Sequence, residues 1–248
     1  MNAAPEPAGD WLEVSTSDGP MRVYRVRPAD PVSPPAAVLV LQEAFGVNEH
    51  VQDVTRRVAA EGYLALAPEL FHRTGGGTVD YADRDTAMGL IDAISPDQID
   101  TDVVALLEHV LDAENIPVQR CAVVGFCFGG RAAITAATST LGLGATVAFY
   151  GPGVVAGPHA VLDRVENISG PVLVLVGDQD PTIPAEHRDA LRAAADEAGV
   201  DLRIRVFPGA GHAFHCDARP AMYHEEAARE AWQLTTSFLA ETIGKGRP

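Results

Sequence analysis

Cations are scarce in this 248-residue chain: 18 lysines and arginines stand against 34 aspartates and glutamates, for a formal net charge of −16. Phosphate backbones are held by clustered basic side chains, so the balance argues against a nucleic-acid partner. Long apolar runs are also missing. None reaches the roughly 18 residues of a membrane span, and the opening MNAAPEPAGDWLEV has no basic segment leading into an apolar one. A soluble, cytoplasmic protein without a membrane partner is the expectation. Cysteine is limited to Cys121, Cys127 and Cys216, an odd number in a chain too large to need covalent staples, which predicts reduced thiols. Aromatic residues make up only 6%, and Trp11 and Trp232 read as packing residues. What is present is ample apolar material, 47% of the chain against 21% charged, enough to bury a core.

The apolar material is distributed in two patterns. WLEVST and MRVYRV alternate apolar and polar residues around Ser17-Asp18-Gly19-Pro20, which predicts an antiparallel hairpin at a sheet edge. From Ala36 onward come continuous runs: AAVLVLQ, YLALAP, CAVVGF, ATVAFY, PVLVLVG and LRIRVF. Strands covered on both faces read this way. Helical patterns separate most of them, over 49–61, 95–114, 128–138 and 184–198, with a last one over about 223–242. Alternation of this kind predicts an α/β fold, an eight-stranded, mostly parallel sheet with helices on both faces and the hairpin at one edge. The expectation is a tail over 1–10 and a single domain over 11–248. The RTGGGTVD stretch reads as a flexible loop, either a plain connection or the border of a pocket.

Gly125-Phe126-Cys127-Phe128-Gly129 fits the G-x-nucleophile-x-G elbow, with a predicted strand before it and a predicted helix after it. A thiol at the first turn of a helix feels the positive end of the backbone dipoles, which favours the thiolate; the competing reading of Cys127 is a small apolar residue in a core. Partners should follow at the carboxyl ends of later strands, where a doubly wound sheet opens a crevice. Asp178-Gln179-Asp180 follows PVLVLVG and His212 follows LRIRVFPGAG. His212 would take the proton of Cys127 and Asp180 would orient the imidazole, while Asp178, the competing acid, is expected to cap a turn. The N–H groups of Phe128 and Ala44 are the expected oxyanion donors. Glu43, next to that second donor, opposes the helix dipole, because a like charge disfavours a thiolate.

At these residues the chain resembles the dienelactone hydrolase, or carboxymethylenebutenolidase, family of the α/β-hydrolase superfamily. The likeness rests on QEAFGVN, GFCFGG, GDQDPTIP and GAGHAFH, four motifs in order over nearly the whole chain. It implies a Cys127–His212–Asp180 triad, a thioester intermediate, and a Glu43 that moves or accepts a proton when an anionic lactone binds. The family grips its substrate's carboxylate with two arginines. Arg84 matches the first by position; Cys216 stands at the second, and nearby Arg219 is the candidate substitute. Met88 and Ile91 stand where better-known members carry aromatics, so the substrate range is expected to differ. Phe45 and Tyr150 complete the expected substrate-binding set.

The expected activity is therefore hydrolysis of small lactones or activated carboxylic esters, with a small molecule as the partner and a monomer or weak homo-oligomer as the assembly. A broad esterase without carboxylate recognition and a non-catalytic binding protein are the alternatives. No cofactor is expected. His212-Ala213-Phe214-His215-Cys216 offers nitrogen and sulfur, but no second pair at structural zinc spacing exists and His212 already has a role, so no metal is expected either.

Overall fold

The computed structural model describes residues 8–31, 35–139 and 142–244, so most of the expected N-terminal tail lies outside the described residues. The hairpin forms as expected: β1 (Gly9–Thr16) and β2 (Gly19–Val26) pair antiparallel, and Gly19 takes the turn at φ 120°. Gly9 and Asp10, placed in the tail by composition, already pair with Val26 and Arg25. The six further strands are β3 (Ala37–Leu41), β4 (Leu64–Pro68), β5 (Cys121–Phe126), β6 (Ala145–Phe149), β7 (Val172–Gly177) and β8 (Leu202–Phe207). They make one eight-stranded sheet in the order β1-β2-β4-β3-β5-β6-β7-β8, parallel from β4 through β8.

Side chains that alternate along a strand point to opposite faces, and the apolar runs fill both. On one face Val38, Val40, Val124 and Phe126 pack with Val51, Val54 and Val58 of α1 (Glu49–Ala60) and with Ala227 and Ala231 of α6 (Glu225–Leu239). On the other, Leu39, Leu41 and Val123 meet Val103, Leu106 and Val110 of α3 (Pro96–Glu114). The helix that starts at the elbow, α4 (Phe128–Ser139), is buried along its length apart from the terminal serine, and α5 (Ala185–Ala198) buries Leu191 and Ala195. Helix starts obey local chemistry: Asn48 caps α1 by accepting from the Val51 N–H, and Ser95 with Gln98 forms a capping box on α3. No helix among the described residues is long and apolar enough to cross a membrane.

Three elements differ from the sequence-based expectation. LRIRVF is not covered on both faces: β8 closes the sheet edge, and Arg203 and Arg205 face outward to Asp201, Glu241 and Glu230. A helix over Arg84–Asp92, α2, follows the N-cap Asp83; it buries only Ala87 and Ile91, too little to leave a periodic signature. The last helix turns into a π-helical segment over Ala240–Gly244. The glycine loop over 75–77 touches the body at Gly77, whose carbonyl oxygen lies 2.3 Å from where a Cβ on Gly46 would stand.

His215 lies inside this core, 3% exposed, with ring centroids 5.3, 5.1 and 5.6 Å from Phe126, Phe149 and Trp232. Burial, reinforced by the charges of His50 and Arg57, pushes its pKa down from 6.5 to about 3. Because the unfolded chain binds a proton below pH 6.5 that the folded chain refuses until about pH 3, stability falls as pH falls through that window. His215→Phe should remove this one-proton slope, up to about 1.4 kcal/mol per pH unit, in urea-unfolding free energies measured from pH 7 downward; an unchanged slope would refute the burial of a neutral imidazole.

Candidate active site

The elbow is built by close approach. Cys127 takes φ 55°, a left-handed conformation costly for a side-chain-bearing residue, and its N–H donates to the Phe149 carbonyl at 3.0 Å. The turn brings the start of α4 against the strands. A Cβ on Gly125 would stand 1.9 Å from the Gly129 carbonyl oxygen, and one on Gly129 would stand 2.3 Å from that of Leu41. Glycine at both positions is what lets the chain reverse here. The half-buried thiol is thereby lifted onto the carboxyl end of the sheet.

The loops after β7 and β8 meet it there. The strands pair Gly177 with Phe207, and beyond them the Gln179 N–H donates to the Ala210 carbonyl at 3.0 Å. Asp178 accepts from the Gly209 N–H at 2.7 Å, so it ties the two loops together, the turn role expected for it. Asp180 reaches inward instead. Its Oδ2 lies 2.8 Å from His212 Nδ1, and His212 Nε2 lies 3.1 Å from Cys127 Sγ. Thr182 fixes the carboxylate from the other side, with its Oγ1 and N–H donating to Asp180 Oδ1 at 2.6 and 2.9 Å.

Charge state follows from these contacts. Burial alone would lower the His212 pKa, but the Asp180 carboxylate and the Cys127 sulfur outweigh it and push it up from 6.5 to about 10. Burial would raise Asp180, yet hydrogen bonds from His212 and Thr182 hold it below the usual carboxylate range. The imidazole thus holds its proton between the Asp180 carboxylate and the Cys127 sulfur.

A cavity of about 610 Å³ opens onto this trio. Cys127, His212, Phe128, Ala44 and Phe45 line it, as do Arg84 and Arg219. Arg84, exposed, opens α2; Arg219 lies over the rings of Phe45 and Tyr81, 5.4 and 5.2 Å from their centroids. Phe128 N–H, in the first turn of α4, has no intrahelical acceptor. Met88 and Ile91, expected to reshape the substrate range, are in the same wall.

Two expected residues stand elsewhere. Tyr150 does not line the cavity: at φ 36° and 0% exposed, it turns beneath the site, ring against His212 at 5.3 Å. Expected to touch substrate, it instead packs its ring against His212 and Phe214 and donates its hydroxyl to Glu43. Glu43 is also buried, 1% exposed, and makes no hydrogen bond to Cys127; its Oε1 accepts from the Tyr150 hydroxyl at 3.5 Å, and Oε2 has no partner. Among the cavity residues to which the sequence reading gave no role, one carries a charge beside the thiol. Arg131, four residues after Cys127 on α4, is 9% exposed, lines the cavity and has an unpartnered buried Nη2. Burial lowers its pKa, with Asp92 and Cys127 opposing that shift. The one-turn spacing from the elbow was the available signal.

The sequence profile of the Dienelactone hydrolase family matches residues 21–243. A Salmonella typhimurium protein named "Putative carboxymethylenebutenolidase" is 39% identical over 232 residues, 91% of this chain and 84% of the relative, and an Escherichia coli protein of the same name is 38% identical over the same shares. Among solved structures, the "Putative Dienelactone Hydrolase" of Klebsiella pneumoniae superposes with a TM-score of 0.82 at 33% identity, covering 94% of this chain and 99% of that one.

The charge argument has a direct check. His212 should remain protonated through neutral pH and lose its proton near pH 10, whereas Asp180→Asn, which removes the anionic acceptor, should lower that titration by at least about one unit, worth about 1.4 kcal/mol. Side-chain imidazole NMR reads both, and an unshifted His212 in the variant would contradict the carboxylate's role.

Proposed function

Because the chain belongs to the dienelactone hydrolase family, we propose that this enzyme hydrolyses small lactones or activated carboxylic esters through a Cys127–His212–Asp180 triad and a thioester intermediate. The observation that carries the reading is the unbroken series of contacts from Asp180 through His212 to Cys127 at the wall of a cavity large enough for a small substrate.

In the reactive form the proton sits on His212 and the negative charge on Sγ. The thiolate attacks the carbonyl carbon, and the oxyanion that forms is met by the Phe128 and Ala44 N–H groups. Collapse breaks the carbon–oxygen bond to the leaving group, which takes the proton from His212 Nε2 and departs, or stays tethered in an opened lactone. His212, now neutral, removes a proton from water as the water attacks the thioester; the second collapse frees the carboxylic acid and restores the thiolate–imidazolium pair. Asp180 keeps Nδ1 as the donor so that Nε2 faces the sulfur.

Carboxylate recognition falls to the arginines of the cavity wall. Arg84, Arg131 and Arg219 surround the approach to Cys127 with Asp92 as the acid among them. An anionic group on the substrate would supply Arg131 with the acceptor it lacks, and charge-assisted bonds of this kind are the strong ones. Glu43 enters this scheme from behind, through Tyr150 and the adjoining Ala44 peptide.

Turnover of a p-nitrophenyl ester and of a simple lactone tests the reading. Cys127→Ala should lower kcat by on the order of 10³-fold or more, and full activity in that variant would remove the thiol from the reaction. Arg131→Gln should raise KM for a carboxylate-bearing ester roughly tenfold to a hundredfold, the value of a hydrogen bond to a charged group, and leave a neutral ester unaffected; equal effects on both would favour a broad esterase without carboxylate recognition.

A further inference from the structure

Behind the hydrolytic cavity lies a second group of chemistry-bearing side chains. Glu43, His50 and Cys216 are all buried, and each offers one ligand atom within 4.8 Å of the others. Neither Glu43 nor His50 is fully satisfied: Glu43 Oε2 and His50 Nε2 are both buried without a hydrogen-bond partner, in residues 1% and 4% exposed. A buried carboxylate is costly unless a cation or several donors answer it. Here Glu43 has only the 3.5 Å contact from Tyr150 and, among the described residues, no salt bridge.

We propose that Glu43, His50 and Cys216 form a binding site for a thiophilic divalent cation of the zinc class. The donor set is one carboxylate oxygen, one imidazole nitrogen and one sulfur, a combination that suits zinc better than the hard cations, which prefer oxygen alone. Tetrahedral bonds of about 2.0–2.3 Å place ligand atoms closer together than the 4.8 Å limit, so the side chains need close by no more than roughly 1–1.5 Å. Carboxylate and thiolate together bring two negative charges, which a divalent cation neutralises.

The surroundings are those of a metal site. His50 commits Nδ1 to Asp217 Oδ1 at 3.2 Å, leaving Nε2 as the free nitrogen, and Arg57 in turn pairs with Asp217. A carboxylate on the far nitrogen is the usual support of a metal-bound histidine. Tyr81 places its hydroxyl 3.8 Å from Cys216 Sγ and receives a hydrogen bond from Asn48. On the solvent side of His50 a surface groove of about 410 Å³ is lined by Asn48, His50 and Tyr81 and by residues 78–80. Burial and the nearby Glu43 push the Cys216 thiol up to about 12, so binding must displace a proton from sulfur to solvent. Occupation would draw the Glu43 carboxylate off the Tyr150 hydroxyl, one residue from the Ala44 donor of the hydrolytic cavity.

Cys127 and His212 are themselves a thiol–imidazole pair, so the test is made in the full chain carrying Cys127→Ala. Co²⁺, an optical stand-in for zinc, should bind this protein at one equivalent with thiolate-to-cobalt charge-transfer absorption, and zinc should displace it. The band should vanish in Cys127→Ala/Cys216→Ala, and Cys127→Ala/Asp217→Asn should weaken affinity roughly tenfold to a hundredfold. Cys216→Ser, tested in the same background with circular dichroism and urea midpoints recorded without metal, guards against loss of the fold. Absence of the band in Cys127→Ala, or its survival without the Cys216 thiol, would overturn the proposal.

Discussion

Everything at this site depends on one tight reversal of the backbone. Cys127 holds a left-handed conformation because the strand before it and the helix after it approach so closely that only hydrogen atoms fit at positions 125 and 129. That approach is maintained by the core, where α4 is buried on nearly all sides and the apolar faces of β5 leave no room for relaxation. The strain is shared: among the described residues four non-glycines have positive φ, and three of them, Cys127, Tyr150 and Ala213, surround the thiol or adjoin His212. Strain concentrated in this way persists only where the surroundings over-determine it.

The electrostatics are local exceptions to the whole. A chain with a net charge of −16 would repel anionic ligands at long range, yet three arginines line the cavity wall. Elsewhere many arginines are spent on surface partners, as Arg25, Arg203 and Arg205 are on nearby acids. Inside the trio, paired opposite charges settle the protonation state: Asp180 and the sulfur together overcome a burial penalty that would otherwise strip the proton from His212. His215, three residues on, has the burial without the acceptor and is driven the other way. The two histidines show how the charges around a buried imidazole decide whether it keeps or sheds its proton.

Much of the fold was legible because parallel strands buried on both faces write continuous apolar runs, and because the helical patterns over 49–61 and 95–114 lie between them. Arg84–Asp92 was not legible, since a helix that buries two residues has almost no period to read. The exposed face of β8 shows in LRIRVF itself, where Arg203 and Arg205 interrupt the continuous apolar run expected there, but its place at the sheet edge is a property of the whole topology. At the site, Cys127, Asp180 and His212 were readable from motif and chain order. The inward turn of Tyr150, the pairing of Glu43 with it, and the place of Arg131 in the cavity wall were not, because each depends on which way a side chain leaves a crowded backbone.

By itself, then, the order of residues determined which groups would arrive at the carboxyl end of the sheet: periodicity specifies strands and helices, right-handed crossovers keep successive parallel strands running the same way, and the glycines at 125 and 129 specify a turn only they permit. Tertiary structure alone decided which atoms face one another. Glu43, His50 and Cys216 are separated by up to 173 positions in the chain and converge only because the loop after β3, α1 and the loop after β8 come together, a matter of three-dimensional approach that no local pattern encodes.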